Sequence, residues 1–259
     1  MAEEGVTYEL EGNVALVGLN RASKRNALND EMVKQLRAAV FRAGEEARAG
    51  VIHAFGDNFS AGLDLAEAMT WMDPAAKKKR PRGRWHRSFD LIARGPIPWV
   101  AALKGACIGG GLELASACHI RVADESTFFA LPEGQRGIFV GGGGSTRIPR
   151  LIGAARMADM MLTGRVYDAE EGLRIGLSQY VVDEGQGLAK GFELAHKIAA
   201  NAPLSNFAVL HALPRIADMG QAEGLFLESL MAAIASGDPA AKDRIKAFLE
   251  GRAAKVAKQ

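Results

Sequence analysis

The sequence predicts an α/β core that gives way to an all-helical C-terminal region, and three observations carry that prediction. Short apolar runs bounded by turn residues alternate with stretches of helical periodicity as far as Val182. Two of the junctions, Phe59-Ser60-Ala61-Gly62-Leu63-Asp64 and Gly105 through Leu114, place small residues between an apolar strand and a helical pattern. Beyond Val182 the strand pattern stops, and every remaining periodic segment is helical.

Val6–Leu10 and Val14–Leu19 flank Glu11-Gly12-Asn13 and read as a hairpin. Asn29 is placed to cap a helix on which Met32, Leu36, Ala39 and Val40 recur on one face. Val51–Phe55 is a short strand ending in the turn cluster Gly56-Asp57-Asn58. Pro98–Leu103, His119–Ala123, Thr127–Ala130 and Ser178–Val182 read as further strands. The helices Leu188–Ala200, Leu204–Ile216, Ala222–Ile234 and Ala240–Leu249 follow. The predicted organisation is a core over residues 1–195 and a helical region over 196–259.

Composition narrows the function. Of 259 residues, 48% are hydrophobic and 24% charged, the balance of a globular protein with room for one large domain and an appendage. A net charge of +2 gives no reason to expect nucleic acid as the main partner. No apolar run is long enough to span a bilayer, and the acidic start Met1-Ala2-Glu3-Glu4-Gly5 is unlike a signal peptide, so a cytoplasmic location is expected. Cys107 and Cys118 have small apolar neighbours and no histidine at metal-ligand spacing, which predicts buried free thiols and no metal.

The segment Trp71–Ser88 carries Lys77-Lys78-Lys79-Arg80-Pro81-Arg82-Gly83-Arg84 between two tryptophans. One reading is a solvated, mobile loop. The other is a basic lip over an anionic ligand, with Trp71 and Trp85 walling an apolar pocket.

The two glycine-rich junctions suggest chemistry. A strand-to-helix turn of small residues leaves backbone N–H groups free. Two such turns face to face would hold a developing oxyanion, where one donor is worth roughly 2.7–4 kcal/mol in the transition state. Glu113 should sit in the first turn of a helix whose other residues are almost all apolar, where a charge is costly unless it is used. Glu133, after Pro132, alone reads as a turn residue. With Glu113 it forms a carboxylate pair whose environments can separate an acid from a base. The run Gly141-Gly142-Gly143-Gly144-Ser145-Thr146 lacks the lysine of a phosphate loop, since Gly144 occupies that place. Neither serine-hydrolase nor dinucleotide signatures occur, and none of the five histidines forms a ligand pair.

With those residues in hand, the chain resembles the crotonase superfamily, the enoyl-CoA hydratase/isomerase family, over nearly its whole length. Asn20-Arg21 with Asn26-Ala27-Leu28-Asn29, Phe59 to Leu65, Gly105 to Ala115, Phe128 to Gly137, Gly141 to Leu151 and Leu162-Thr163-Gly164-Arg165 are similar to the family's segments in order and spacing. The resemblance implies a spiral of ββα units, with C-terminal helices that build a homotrimer or a dimer of trimers. It implies an oxyanion hole from the N–H groups of Ala61 and Gly110, with Glu113 and Glu133 as the catalytic carboxylates. It implies an acyl-CoA thioester as substrate and no cofactor. CoA would lie against Lys24, Arg25, Ala27, Gly62, Leu63, Asp64 and Gly109, and the acyl tail against Trp71, Trp85, Phe139 and Val140. Because isomerases of the family usually lack the first glutamate, the presence of both favours an enoyl-CoA hydratase. The alternatives are an isomerase, a hydratase-lyase or a dehalogenase of the same fold. A non-catalytic acyl-CoA or RNA-binding scaffold is the rival from another class, supported only by the basic run.

Overall fold

Val6–Glu11 (β1) and Val14–Leu19 (β2) pair antiparallel across the Gly12-Asn13 turn, as their alternation predicts. The Asn29 side chain then caps α1 (Asp30–Glu46) by accepting from the Met32 N–H at 2.8 Å. Met32, Val33, Leu36, Ala39, Val40 and Ala43 form the buried stripe of that helix. This computed structural model describes residues 5–72 and 83–252.

From β3 (Ala49–Ala54) onward the chain alternates between two layers. β3 is followed by Ser60, bridged to Cys107, and by α2 (Leu65–Met72). After α3 (Arg84–Ala93), β4 (Trp99–Leu103) is followed by β5 (Ala106–Ile108) and α4 (Gly110–Ala115). β6 (Ile120–Asp124) is followed by β7 (Phe128–Ala130) and α5 (Gly144–Ile152). Each pass puts one strand in a large sheet, another segment in a second layer, and then a helix. This is the spiral of ββα units that the resemblance implies. α6 (Ala154–Thr163), β8 (Val166–Asp168), α7 (Ala169–Ile175), β9 (Tyr180–Val182) and α8 (Gly187–Ala199) complete the first of two compact units, which ends at Ala199.

The large sheet has the order β1-β2-β3-β4-β6-β9, and every pairing in it is parallel except β1 with β2. The second sheet has the order β5-β7-β8. Side chains alternate across the parallel strands, as a period of two requires. Val51, Val100 and Val122 meet Leu194, Ala195 and Ala199 of α8. Their neighbours Ile52, Ala101 and Ala123 enter the main core with Phe59, Phe89, Trp99 and Phe129. Cys107 and Cys118 are buried free thiols whose burial pushes their pKa values up.

The second unit, from Ala200, is helical: α9 (Pro203–His211), α10 (Leu213–Asp218), α11 (Gln221–Gly237) and α12 (Pro239–Leu249). Two expectations need correction. The single helix expected over 204–216 is broken at Ala212, because Pro214 lacks an N–H to continue the ladder and is tolerated only in the first turn of a new helix. The segment 71–88 is not loop throughout. Trp71 lies in the last turn of α2, and Trp85, Phe89 and Ile92 form the buried face of α3. Residues 77–82 of the basic run lie outside the described residues.

Candidate active site

The first turn is knitted from two distant segments around Asn26, a fully buried residue with a left-handed backbone. Its Nδ2 donates to the carbonyls of Phe55 at 2.9 Å and Asn58 at 2.8 Å, while Oδ1 accepts from the Arg21 N–H at 2.8 Å. Ser60 Oγ donates to the Asn26 carbonyl at 2.8 Å. Leu28 then pairs with Leu63: the Leu28 N–H donates to the Gly62 carbonyl at 2.7 Å, and the Asp64 N–H donates to the Leu28 carbonyl at 2.8 Å. That pairing engages the peptide groups on both sides of Leu63 and leaves the Leu63 N–H without a backbone partner among the described residues.

The second turn is Gly109-Gly110. Gly109 has φ 52° and ψ −118°, a conformation open essentially to glycine, and α4 starts at the next residue. The Gly110 N–H therefore belongs to the first turn of a helix and has no intrahelical acceptor. The two turns touch. A methyl group on Gly62 would lie 3.1 Å from the Gly110 nitrogen, and one on Gly110 would lie 3.5 Å from the Leu63 nitrogen. Trp85 closes the side of this space, its ring 2.9 Å from that same hypothetical methyl on Gly110.

One of the two expected donors is already engaged. The Ala61 N–H donates to the Arg25 carbonyl at 2.9 Å and is occupied in holding the turn together. Among the described residues the neighbouring N–H without a backbone partner is that of Leu63.

Glu113, 3% exposed on α4, points into the glycine run before α5. Its Oε1 accepts from the N–H groups of Gly142 at 2.7 Å and Gly144 at 2.9 Å, and its Oε2 accepts from Gly141 at 3.4 Å. A methyl on Gly144 would come within 2.7 Å of the Glu113 side chain, so the run must be small as well as rich in N–H groups. The glycine run is an anion nest for a carboxylate of the same chain. Free amides before a helix were the legible signal. Their anion, supplied by a distant helix, was not.

Glu133 is 6% exposed, and its Oε2 is buried without a hydrogen-bond partner among the described residues. Burial, reinforced by the nearby Glu113 charge, pushes its carboxyl up to about 7. The two glutamates flank one turn. The Glu113 N–H donates to the Gly109 carbonyl at 2.9 Å, and Glu133 Oε1 would stand 2.8 Å from a methyl on Gly109.

Other expected site residues divide. Lys24 and Arg25 are exposed on the turn before Asn26, and Ala27 is half-buried. Asp64 is engaged within the fold: it pairs with Arg21 at 2.7 Å and accepts from the Ala66 and Glu67 N–H groups at the start of α2. Val140 is buried, and Phe139 is 66% exposed. Trp85 is buried beside the two turns, and Trp71 is half-buried on α2.

A sequence profile described as enoyl-CoA hydratase/isomerase matches residues 9–259. The chain belongs to the enoyl-CoA hydratase/isomerase family. It is 33% identical over 251 residues to the enoyl-CoA hydratase EchA19 of Mycobacterium tuberculosis, covering 95% of this chain and 93% of that one. A crystal structure from Rhodopseudomonas palustris, provisionally described as an enoyl-CoA hydratase, superposes with a TM-score of 0.88 at 52% identity. The match covers 96% of this chain and 95% of that one. The enoyl-CoA hydratase of Bacillus anthracis matches with a TM-score of 0.87 at 28% identity, covering 96% and 97%. An acyl-CoA substrate is consistent with this membership. Among the described residues no helix is long and apolar enough to cross a membrane.

Proposed function

We propose that this protein is an enoyl-CoA hydratase, adding water across the α,β double bond of an enoyl-CoA thioester. The observation that carries the reading is the contrast between two buried carboxyl groups at one turn. Glu113 sits in a nest of N–H donors, and an acceptor-only carboxylate is its complement. Among the described residues Glu133 has a buried oxygen without a hydrogen-bond partner, and its pKa is raised to about 7. Such a pair suits one base and one acid.

In the proposed reaction the thioester oxygen accepts from the Leu63 and Gly110 N–H groups. Glu113 takes a proton from water as the water oxygen bonds to C3. The displaced π electrons pass toward C2 and the thioester carbonyl, so that negative charge develops where the two donors point. Glu133 then protonates C2. One proton is taken and one given, and exchange between the carboxyls through solvent restores the starting pair. Each positioned acid or base typically contributes about 10²–10⁴ in rate. The reaction is redox-neutral, and no step is assigned to a metal or cofactor.

Lys24 and Arg25, exposed beside the first turn, are the proposed cationic contacts of the CoA phosphates. The helical unit exposes Phe207, Leu225, Phe226, Leu230, Ile234 and Phe248, which supports assignment of α9–α12 to a homotrimer or dimer of trimers.

Loss of the enoyl thioester absorbance with crotonyl-CoA, followed for wild type, Glu113→Gln and Glu133→Gln, tests the reading. Hydration by wild type with both variants slowed by about 10² or more supports it. Turnover that survives Glu113→Gln but not Glu133→Gln would move the assignment to an isomerase-type reaction. Absence of hydration by wild type would overturn it.

A further inference from the structure

The nest around Glu113 is made of four consecutive glycines, the sequence with the greatest conformational freedom to lose on folding. Its order must come from outside the run. Arg147, one turn into α5, supplies an anchor. Its Nη1 donates to the Gly142 carbonyl at 3.0 Å, and Nη2 donates to Asp90 Oδ1 on α3. A side chain on Gly143, where φ is +98°, would begin 2.3 Å from Nη1, so the guanidinium fills the space that the glycine leaves open. Gly142 thus donates to Glu113 through its N–H and accepts from Arg147 through its carbonyl. The Phe89 ring, adjacent to Asp90 in the chain, packs 2.7 Å from a hypothetical methyl on Gly142. Loop, guanidinium and α3 form one braced unit behind the carboxylate.

We infer that Arg147 is a positioning residue, clamping the Gly141–Gly144 amides onto Glu113 by bridging the Gly142 carbonyl and Asp90. The arrangement needs a planar fork with two separated donors. Lysine has the charge but only a single ammonium centre, so Arg147→Lys should restore only part of the function. Arg147 touches no reacting atom and acts through Glu113.

The consequence for activity rests on Glu113 being a reacting carboxylate, and the consequence for the loop does not. Hydrogen exchange followed by mass spectrometry on wild type and Arg147→Met therefore comes first. Protection over residues 139–146 should fall in the variant, while β3, β4 and β6 keep theirs. Unchanged protection of the run would overturn the inference, whatever reaction the enzyme catalyses. The second measurement is a double-mutant cycle in crotonyl-CoA hydration. Arg147→Met should lower kcat by about 10–100-fold with KM within about threefold, and Arg147→Lys should recover part of that loss. In a Glu113→Gln background the same substitution should cost no more than about threefold further, because the residue it positions is already disabled. A fully additive loss would mean that Arg147 acts independently of Glu113 and would sink the proposal. If wild type does not hydrate crotonyl-CoA, the hydratase reading fails and the exchange result still decides the clamp.

Discussion

Glu133 Oε1 crowds the place where a side chain on Gly109 would begin: a methyl there would stand 2.8 Å from the oxygen. The turn that frees the Gly110 N–H is therefore also the turn that admits the second carboxyl. Gly109→Ala should fail on both counts. The φ of 52° with ψ of −118° is strained for any side chain, at about 1–3 kcal/mol. The methyl would also push Glu133 off its line, and a shift of an ångström in a reacting group costs about 10² in rate. Expected outcomes are a lowered Tm and at least a hundredfold fall in kcat/KM, read by thermal melts and hydration assays. A variant with wild-type turnover would refute the shared use of the turn.

Glu133 also sets a pH dependence. Its carboxyl titrates near 4.5 in the unfolded chain and near 7 in the folded one. Between those values the native state binds the extra proton, so stability falls as pH rises through that window and is level again above it. Glu133→Gln removes the effect. The variant should gain on wild type by about 1–3 kcal/mol between pH 4.5 and pH 8, measured by denaturant titration at each pH. In the proposed reaction the protonated acid is the working form, so kcat/KM should decline above pH about 7.

Much of this was legible locally. The hairpin and α1 follow from nearby residues, with Asn29 placed to bond the Met32 N–H. Glu113 stood out because a carboxylate among Leu112, Leu114 and Ala115 needs a reason to be there. What was not legible depends on pairing across the chain. Ala61 and Leu63 both lie in a turn of small residues, but which N–H is free is decided by Arg25 and Leu28 on another segment. The nest was visible as a glycine run, yet its anion comes from a helix far away in sequence. α3 was obscured because the basic residues before it dominate the composition, although Trp85, Phe89 and Ile92 already have helical spacing.

Asp64 was expected at the CoA site, but its oxygens are occupied by Arg21 and two amides at the start of α2. Burial opposes its charge, and the Arg21 guanidinium with those amides outweighs it, holding the carboxyl below its usual range. Its contribution should be structural. Asp64→Ala should lose about 1–3 kcal/mol at neutral pH, combining a lost cap with a lost partly buried ion pair. A depressed carboxyl stabilises above its unfolded value of 3.8 and loses that effect as pH falls through the folded one. The gap between variant and wild type should therefore narrow below pH 3.8. Equal stability at neutral pH would show that the contacts contribute nothing.

The donor pair can be tested without changing a side chain. Replacing one backbone amide by an ester removes a single N–H, weakens the preceding carbonyl as an acceptor equally at both sites, and preserves the shape of the chain. At Leu63 the N–H has no backbone partner among the described residues, so the ester's cost to folding comes only from the weaker Gly62 ester carbonyl, which accepts from the Leu28 N–H. The Leu63 ester should nevertheless slow hydration by about 10²–10³, the usual cost of one oxyanion donor. At Ala61 the expected pattern is reversed. Its N–H holds the Arg25 carbonyl at 2.9 Å, and losing that bond should lower stability by about 0.5–1.5 kcal/mol while kcat changes little. The two esters differ in the position of one atom two residues apart. Opposite effects on rate and stability would assign the hole to Leu63 and Gly110, whereas a rate loss at Ala61 alone would return it to the residue the family resemblance first implied.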